Sequence, residues 1–226
     1  MNRPLLRTIL NLAAIFGGLG LMAQDPVDQK LYHQQIEQGR QYKFSYADIK
    51  GHQFNESPVY QIGSLIFDGV GYQEILLNYD IYNDQVVTTM LQNGITQNII
   101  VDKSRIEQFR IGPESFVNVT DSAKSVPPGI YQLLFEKNHV QLLAKVEKYV
   151  VGNNRPGELL KKFNTRHAYI LSVGSESFSI ASKKDLLLAF GENPEMRSTI
   201  QQAKIKFRKK TPDEDALLRV LDDLPL

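Results

Sequence analysis

Three spacings of apolar residues follow one another along this chain. From Thr8 to Ala23 they run almost unbroken, from Pro58 to Ala181 they come in short runs of period two, and from Ser182 onward they recur at helical spacing. The strand signals are sharpest around turns. Tyr60 to Phe67 and Tyr72 to Tyr82 flank Asp68-Gly69, and Gln85 to Leu91 and Ile95 to Val101 flank Asn93-Gly94. Both dipeptides accept the positive φ angles of a tight hairpin. Within Tyr72 to Tyr82, Ile75, Leu77, Tyr79 and Ile81 alternate with Glu74, Asn78, Asp80 and Tyr82, which predicts one apolar and one mostly polar face. Asn83-Asp84 turns the chain again. Further strands are predicted at Ile106 to Ile111, Ser115 to Val119, Ile130 to Phe135, Val140 to Val151, Ala168 to Val173 and Phe178 to Ala181. Across the turn at Asn138, Tyr131, Leu133 and Phe135 are expected to face Val140, Leu142, Ala144 and Val146.

After Ser182 three helix starts are marked. Ser182-Lys183-Lys184-Asp185 approximates a capping box ahead of Leu186, Leu187 and Phe190, with Gly191 as the stop. Asn193-Pro194 opens a second helix with a stripe of Met196, Ile200, Ala203 and Phe207, and Thr211-Pro212-Asp213-Glu214 opens a third with Leu217, Val220, Leu221 and Leu224. The fold class this predicts is α+β and mainly β: an antiparallel β-meander forming a curved sheet, barrel or sandwich, followed by a short C-terminal helical tail. The domain plan is a signal peptide over 1–23, a leader over 24–57 that is helical or mobile, a β domain over 58–181 and helices over 182–226 packed on the sheet. Asp25-Pro26-Val27-Asp28 reads as the start of a polar helix in the leader, ending near Gly39.

The opening residues carry Arg3 and Arg7, then the apolar run, then Leu21-Met22-Ala23 before Gln24 and Asp25. That is the order of a cleavable export signal: a positive start, an apolar stretch and a small residue at the cut. A transmembrane helix needs about 20 apolar residues and usually basic flanks, so no membrane anchor is expected once the signal is removed.

Composition narrows the remaining choices. The 226 residues are 42% hydrophobic and 23% charged, as in an ordinary folded domain. There is no cysteine, which excludes disulfides, a lipid-bearing cysteine and thiolate metal sites, and in an exported chain favours a bacterial envelope over a eukaryotic secretory route. Without Arg3 and Arg7 the 26 Lys and Arg become 24 against 25 Asp and Glu, so overall charge points to no nucleic-acid partner.

Candidate chemistry is sparse. No G-x-S-x-G elbow is present, and Gly174-Ser175-Glu176-Ser177 reads as a hairpin turn. His33, His52, His139 and His167 lie far apart, with no spacing that puts two on one face for a metal. Asp80, Asn83 and Asp84 gather oxygens around one turn, as a hard cation needs, but turns favour the same residues for local backbone bonding. Glu74 with Asp80 is the pair a hydrolase would need on a common face. Lys204, Lys206, Arg208, Lys209 and Lys210 could meet phosphate groups, although cations also suit the end of the second helix, with Asp213, Glu214 and Asp215 near to offset them. Asp121-Ser122-Ala123 resembles the Asp-Ser/Thr-apolar triplet to which some Gram-negative bacteria attach O-glycans, which makes Ser122 a candidate O-glycosylation site. Asn55-Glu56-Ser57 and Asn118-Val119-Thr120 fit the N-glycosylation pattern, relevant only in a eukaryotic route. No catalytic residue, cofactor or metal site is assigned.

Gly63 to Gly69 (GSLIFDG), Ile75 to Val87 (ILLNYDIYNDQVV) and Ser182 to Leu186 resemble a group of uncharacterised exported β-rich proteins of Gram-negative envelopes. The resemblance spans roughly residues 50–222 and implies export and fold, with no activity or site residue to carry over. Two functions are therefore expected in order. The first is a non-enzymatic binding module of the periplasm or cell envelope, holding another envelope protein or a surface polymer. The second is a carrier of a lipid or other apolar small molecule in the concavity of the sheet.

Overall fold

The computed structural model of the protein describes Ile36 and residues 39–92, 94–120, 126–152, 161–191 and 193–226; the signal segment and most of the leader's expected helix lie outside the described residues. The strands are β1 (Arg40–Gln41), β2 (Ile49–Lys50), β3 (Gln61–Phe67), β4 (Val70–Asp80), β5 (Gln85–Gln92), β6 (Ile95–Ile100), β7 (Ile106–Ile111), β8 (Glu114–Val119), β9 (Gly129–Lys137), β10 (Val140–Gly152), β11 (Lys161–Val173) and β12 (Glu176–Ser179). The helices α1 (Lys183–Ala189), α2 (Pro194–Gln202) and α3 (Glu214–Asp223) follow, with a small ladder of β13 (Phe207–Arg208) and β14 (Thr211–Pro212) between the last two. The chain is mainly β with a C-terminal helix, as its apolar spacing predicts.

The twelve-stranded sheet runs in the order β1-β6-β5-β4-β3-β7-β8-β9-β10-β11-β12, and β2 joins β11 at its far end. Two local meanders, β3 to β6 and β7 to β12, thus meet at a single long-range pairing of β3 with β7. The sheet is mixed rather than purely antiparallel, because β2 lies parallel to β11, with Ile49 opposite Lys161. It does not close into a barrel. Asp68 and Gly69 form the β3–β4 turn with φ of 52° and 74°, the mirror-image turn whose twist matches that of the strands it joins.

Irregularities reset the expected alternation in two places. In β4, Tyr72 pairs with Leu65 but Ile75 pairs with Gly63, so β4 has one residue too many at Gln73-Glu74, and Glu74 takes a φ of 56°. This bulge is why Tyr72 and Leu77, of opposite parity, are both buried. In β10, Leu142 pairs with Phe135 as expected, but a register shift follows and Leu143 then pairs with Leu133.

The core lies between the sheet and the segments laid on it. Phe109 and Phe116, neighbours on β7 and β8, stack with ring centroids 4.7 Å apart, and Tyr79 of β4 stands edge-on to both at 5.5 and 5.4 Å. Leu186, Ile200, Leu217 and Leu221 bury one apolar position or more from each helix. Short helices gain their stability from such packing. Residues 39–57, read from sequence as leader, contribute as well. Tyr42 and Phe54 are buried against Val87, β1 pairs with β6, and Phe54 bridges Asp80.

The tail departs from expectation between its last two helices. α2 ends at Gln202, with Ala203 as its cap in extended conformation, so the stripe breaks before Phe207, which lies in β13. Asp213 caps α3 by accepting from the Ala216 amide, while Thr211 and Pro212 form β14 instead of the cap and first turn.

Candidate functional site

The acidic turn between β4 and β5 is built from groups that satisfy one another. Asp80 has no exposed surface. Its Oδ1 accepts the amides of Tyr82 and Asn83 at 3.0 and 2.9 Å, and its Oδ2 accepts the Tyr42 hydroxyl and Asn83 Nδ2, each at 2.7 Å. Asp84 accepts the Tyr79 hydroxyl at 2.5 Å and is paired with Lys103, while Lys145 stands 3.7 Å away. Burial pushes the Asp84 carboxyl up, but the hydrogen bonds from Lys103 and Tyr79 and the charge of Lys145 outweigh it and hold the carboxyl below its ordinary value. Burial, more than any other cause, holds the Lys145 ammonium down. Donors already occupy both oxygens of Asp80, and among the described residues no group of three or more His, Asp or Glu is arranged to hold a metal ion. The turn is a structural knot.

The other residues singled out from sequence are scattered by the fold. Glu74 is exposed on the β4 bulge while Asp80 is enclosed, so this carboxylate pair does not share an environment. His139 lies exposed in the β9–β10 turn and His167 exposed on β11 beside Tyr169. His52 is half-buried with Nδ1 3.3 Å from the Lys148 ammonium; burial and that charge lower its proton affinity. Lys148 also donates to the backbone carbonyls of His52, Phe54 and Asn55, a cationic clamp on that segment. Asn55 donates to Glu114, and Asn118 to the carbonyls of Lys103 and Ile106, so both asparagine side chains serve the fold. Gly174 makes the expected β11–β12 turn with a φ of 61°. Ser122 and His33 lie outside the described residues.

Two surfaces carry what these residues do not. The first is the ribbon formed by β5 and β6. β4 pairs with β5 only from Leu77 to Asp80, opposite Thr88 to Gln85, and β1 pairs with β6 only at Ile99 and Ile100. From Thr89 to Gln97 the two strands therefore pair only with each other among the described residues, and both outer edges are open. From Gln85 to Val101 no residue carries a charge or is a proline. Leu91 and Ile95, near the tip, are 72% and 63% exposed. Alternation and the Asn93-Gly94 turn predict the hairpin; the missing signal was the uncharged stretch, which sequence reading treated as ordinary strand.

The second surface is the basic segment after α2. Exposure alternates there, with Lys204, Lys206 and Arg208 exposed and Ala203, Ile205 and Phe207 half-buried. Lys209 and Lys210 form the exposed turn between β13 and β14. The helix-end role expected of these cations is filled instead by Lys183, which donates to the carbonyls of Gln201 and Ala203 at 2.6 and 2.7 Å. Of the nearby acids, Asp213 caps α3 and lines one hollow with Lys206 and Arg208, and Glu214 accepts the Tyr169 hydroxyl; among the described residues none forms an ion pair with these cations.

No protein-family model, curated protein or solved structure matches this chain.

Proposed function

We propose that this chain is a non-enzymatic binding module of the cell envelope, exported by its N-terminal segment, and that it receives an extended, uncharged strand of another envelope protein along the β5–β6 ribbon. The observation that carries this reading is a two-stranded ribbon with open edges and no charge. Free strand edges invite pairing with other chains, and proteins ordinarily blunt them with lysine, proline or short strands. A ribbon without those guards suits strand addition, in which backbone hydrogen bonds give affinity and side chains such as Leu91 and Ile95 give selectivity. The side-chain packing of the interior, where Phe54, Phe67, Phe109, Phe116 and Leu142 are fully buried, supports this reading over an apolar carrier.

The test is a photo-crosslinking amino acid placed at Thr96 on the ribbon, with Lys162 on β11 as the control position, in cells expressing the full chain. One discrete adduct from Thr96, absent from Lys162 and lost in L91K/I95K, is the expected result. Adducts equal at both positions, or unaffected by the two lysines, would overturn the reading.

A further inference from the structure

We propose that the β13–β14 hairpin and the segment leading into it form a docking site for an anionic phospholipid surface. Charge complementarity carries the inference. Lys204, Lys206, Arg208, Lys209 and Lys210 are all exposed, and among the described residues none is in an ion pair or donates a side-chain hydrogen bond. Cations that neither cap a helix nor meet a carboxylate are left to act on something outside the chain. The near-neutral balance of the whole protein makes this concentration local, not a reflection of general basicity.

The backbone points the same way. Lys209 and Lys210 take φ angles of 49° and 67°, closing the two-residue turn between the Phe207–Pro212 and Arg208–Thr211 pairs. Glycine and asparagine are the residues that fit such a turn without strain, and lysine costs conformational energy at both positions. That cost places two ammonium groups at the tip of a hairpin whose base is fixed: Pro212 is buried, and the Asp213 amide donates to the Lys206 carbonyl at 2.8 Å. Behind the tip, exposure alternates, with Lys204, Lys206 and Arg208 exposed and Ile205 and Phe207 half-buried between them.

Five exposed cations over seven residues suit several separate phosphates of a surface. Lysines predominate, and a lysine is a point charge that does not require paired acceptors. Between Ala203 and Thr211 the one aromatic side chain, Phe207, is half-buried, so the segment presents no stacking platform for the bases of a single-stranded nucleic acid. Clusters of four to eight basic residues beside a membrane span or on an amphipathic helix bind acidic lipid, and this hairpin segment carries five.

The experiment is flotation of the full chain with phosphatidylcholine vesicles, with and without one quarter phosphatidylglycerol, in low salt and in 0.5 M salt. Binding only to the acidic vesicles, and its loss in high salt, is expected. The informative variant is K209G/K210G. Glycine relieves the left-handed turn, so the melting temperature should hold or rise while the vesicle partition coefficient falls, by about fivefold per charge removed. A second variant, K204Q/K206Q/R208Q, should weaken binding further with the hairpin sequence intact. Equal binding to neutral vesicles, or unchanged partition of K209G/K210G, would overturn the site, as would tighter retention by single-stranded oligonucleotide than by acidic vesicles at the same salt. A charge-neutral ribbon variant, L91Q/I95Q, should bind acidic vesicles like the parent chain, which separates this site from the strand-receiving ribbon.

Discussion

The Tyr42 hydroxyl donates to Oδ2 of Asp80 at 2.7 Å inside the protein, and the direction of that bond is forced. Gln53 Nε2 donates to the same hydroxyl oxygen at 2.7 Å, so the tyrosine proton is left for the carboxylate. Every group around Asp80 is then a donor. Asp80→Asn should therefore cost more than an isosteric exchange usually does, about 2–3 kcal/mol, because its amide would turn a donor toward other donors in a buried site. Tyr42→Phe should cost about 1–2 kcal/mol, since it leaves Asp80 and Gln53 each short of one partner. Denaturant unfolding of both variants checks the order. A neutral Asp80→Asn would show that the carboxylate does not hold the turn.

Asp84 gives a pH dependence whose sign can be worked out. Its carboxyl is held below the ordinary 3.8 in the folded chain, so on acidification the unfolded chain takes up its proton first. The stabilisation is complete above that ordinary value and is lost as the pH falls through the lower folded one. Asp84→Asn should be less stable than the parent at pH 7, by about 1 kcal/mol after allowing for its partial exposure, and the difference should vanish in strong acid. Thermal melts at stepped pH check this.

Glu114 behaves in the opposite sense. Burial, with Glu56 nearby, pushes its carboxyl up despite hydrogen bonds from Asn55 and Gln132. The folded chain thus binds this proton more tightly than the unfolded one, and the strain from Glu114 is relieved as the pH falls through its raised value. Removing the neighbouring charge with Glu56→Gln should bring the Glu114 carboxyl down. Carboxyl titration by NMR reads the shift, and an unmoved Glu114 would exclude Glu56 as a contributor.

The bulge at Glu74 predicts that a deletion is worse than any substitution there. Glu74→Gly should be neutral or stabilising by up to about 1 kcal/mol, because glycine accepts the positive φ more readily. Deleting Glu74 restores strict alternation and turns either Tyr72 or Leu77, both buried, outward. The expected outcome is loss of the cooperative unfolding transition by circular dichroism.

Sequence was most informative where structure is local. The turn residues Asp68-Gly69, Asn138 and Gly174 announced their hairpins, and Ser182 announced α1. What escaped was decided by partners far along the chain. β1 and β2 are two residues each and exist only because β6 and β11 offer an edge, so residues 39–57 gave no strand signal of their own. Between α2 and α3 two local signals competed. Thr211 and Asp213 are both good caps, and the β13–β14 pairing, with burial of Pro212, resolved the choice in favour of Asp213. The basic surface was visible as a charged run and the ribbon only as an ordinary hairpin, and neither as exposed and unpaired, because exposure depends on which neighbours stop short.

The seam between β3 and β7 has a consequence for how the molecule assembles. On either side of it every strand but the short terminal ones finds its partner next along the chain, whereas Gly63 must meet Ile111 across the whole of the first meander. Each half can therefore zip up quickly by itself, and bringing the halves together is the slow, entropically costly event. Refolding rates should respond most to changes at that seam, and a chain halted before it closes would display two unfinished borders to the solvent at once.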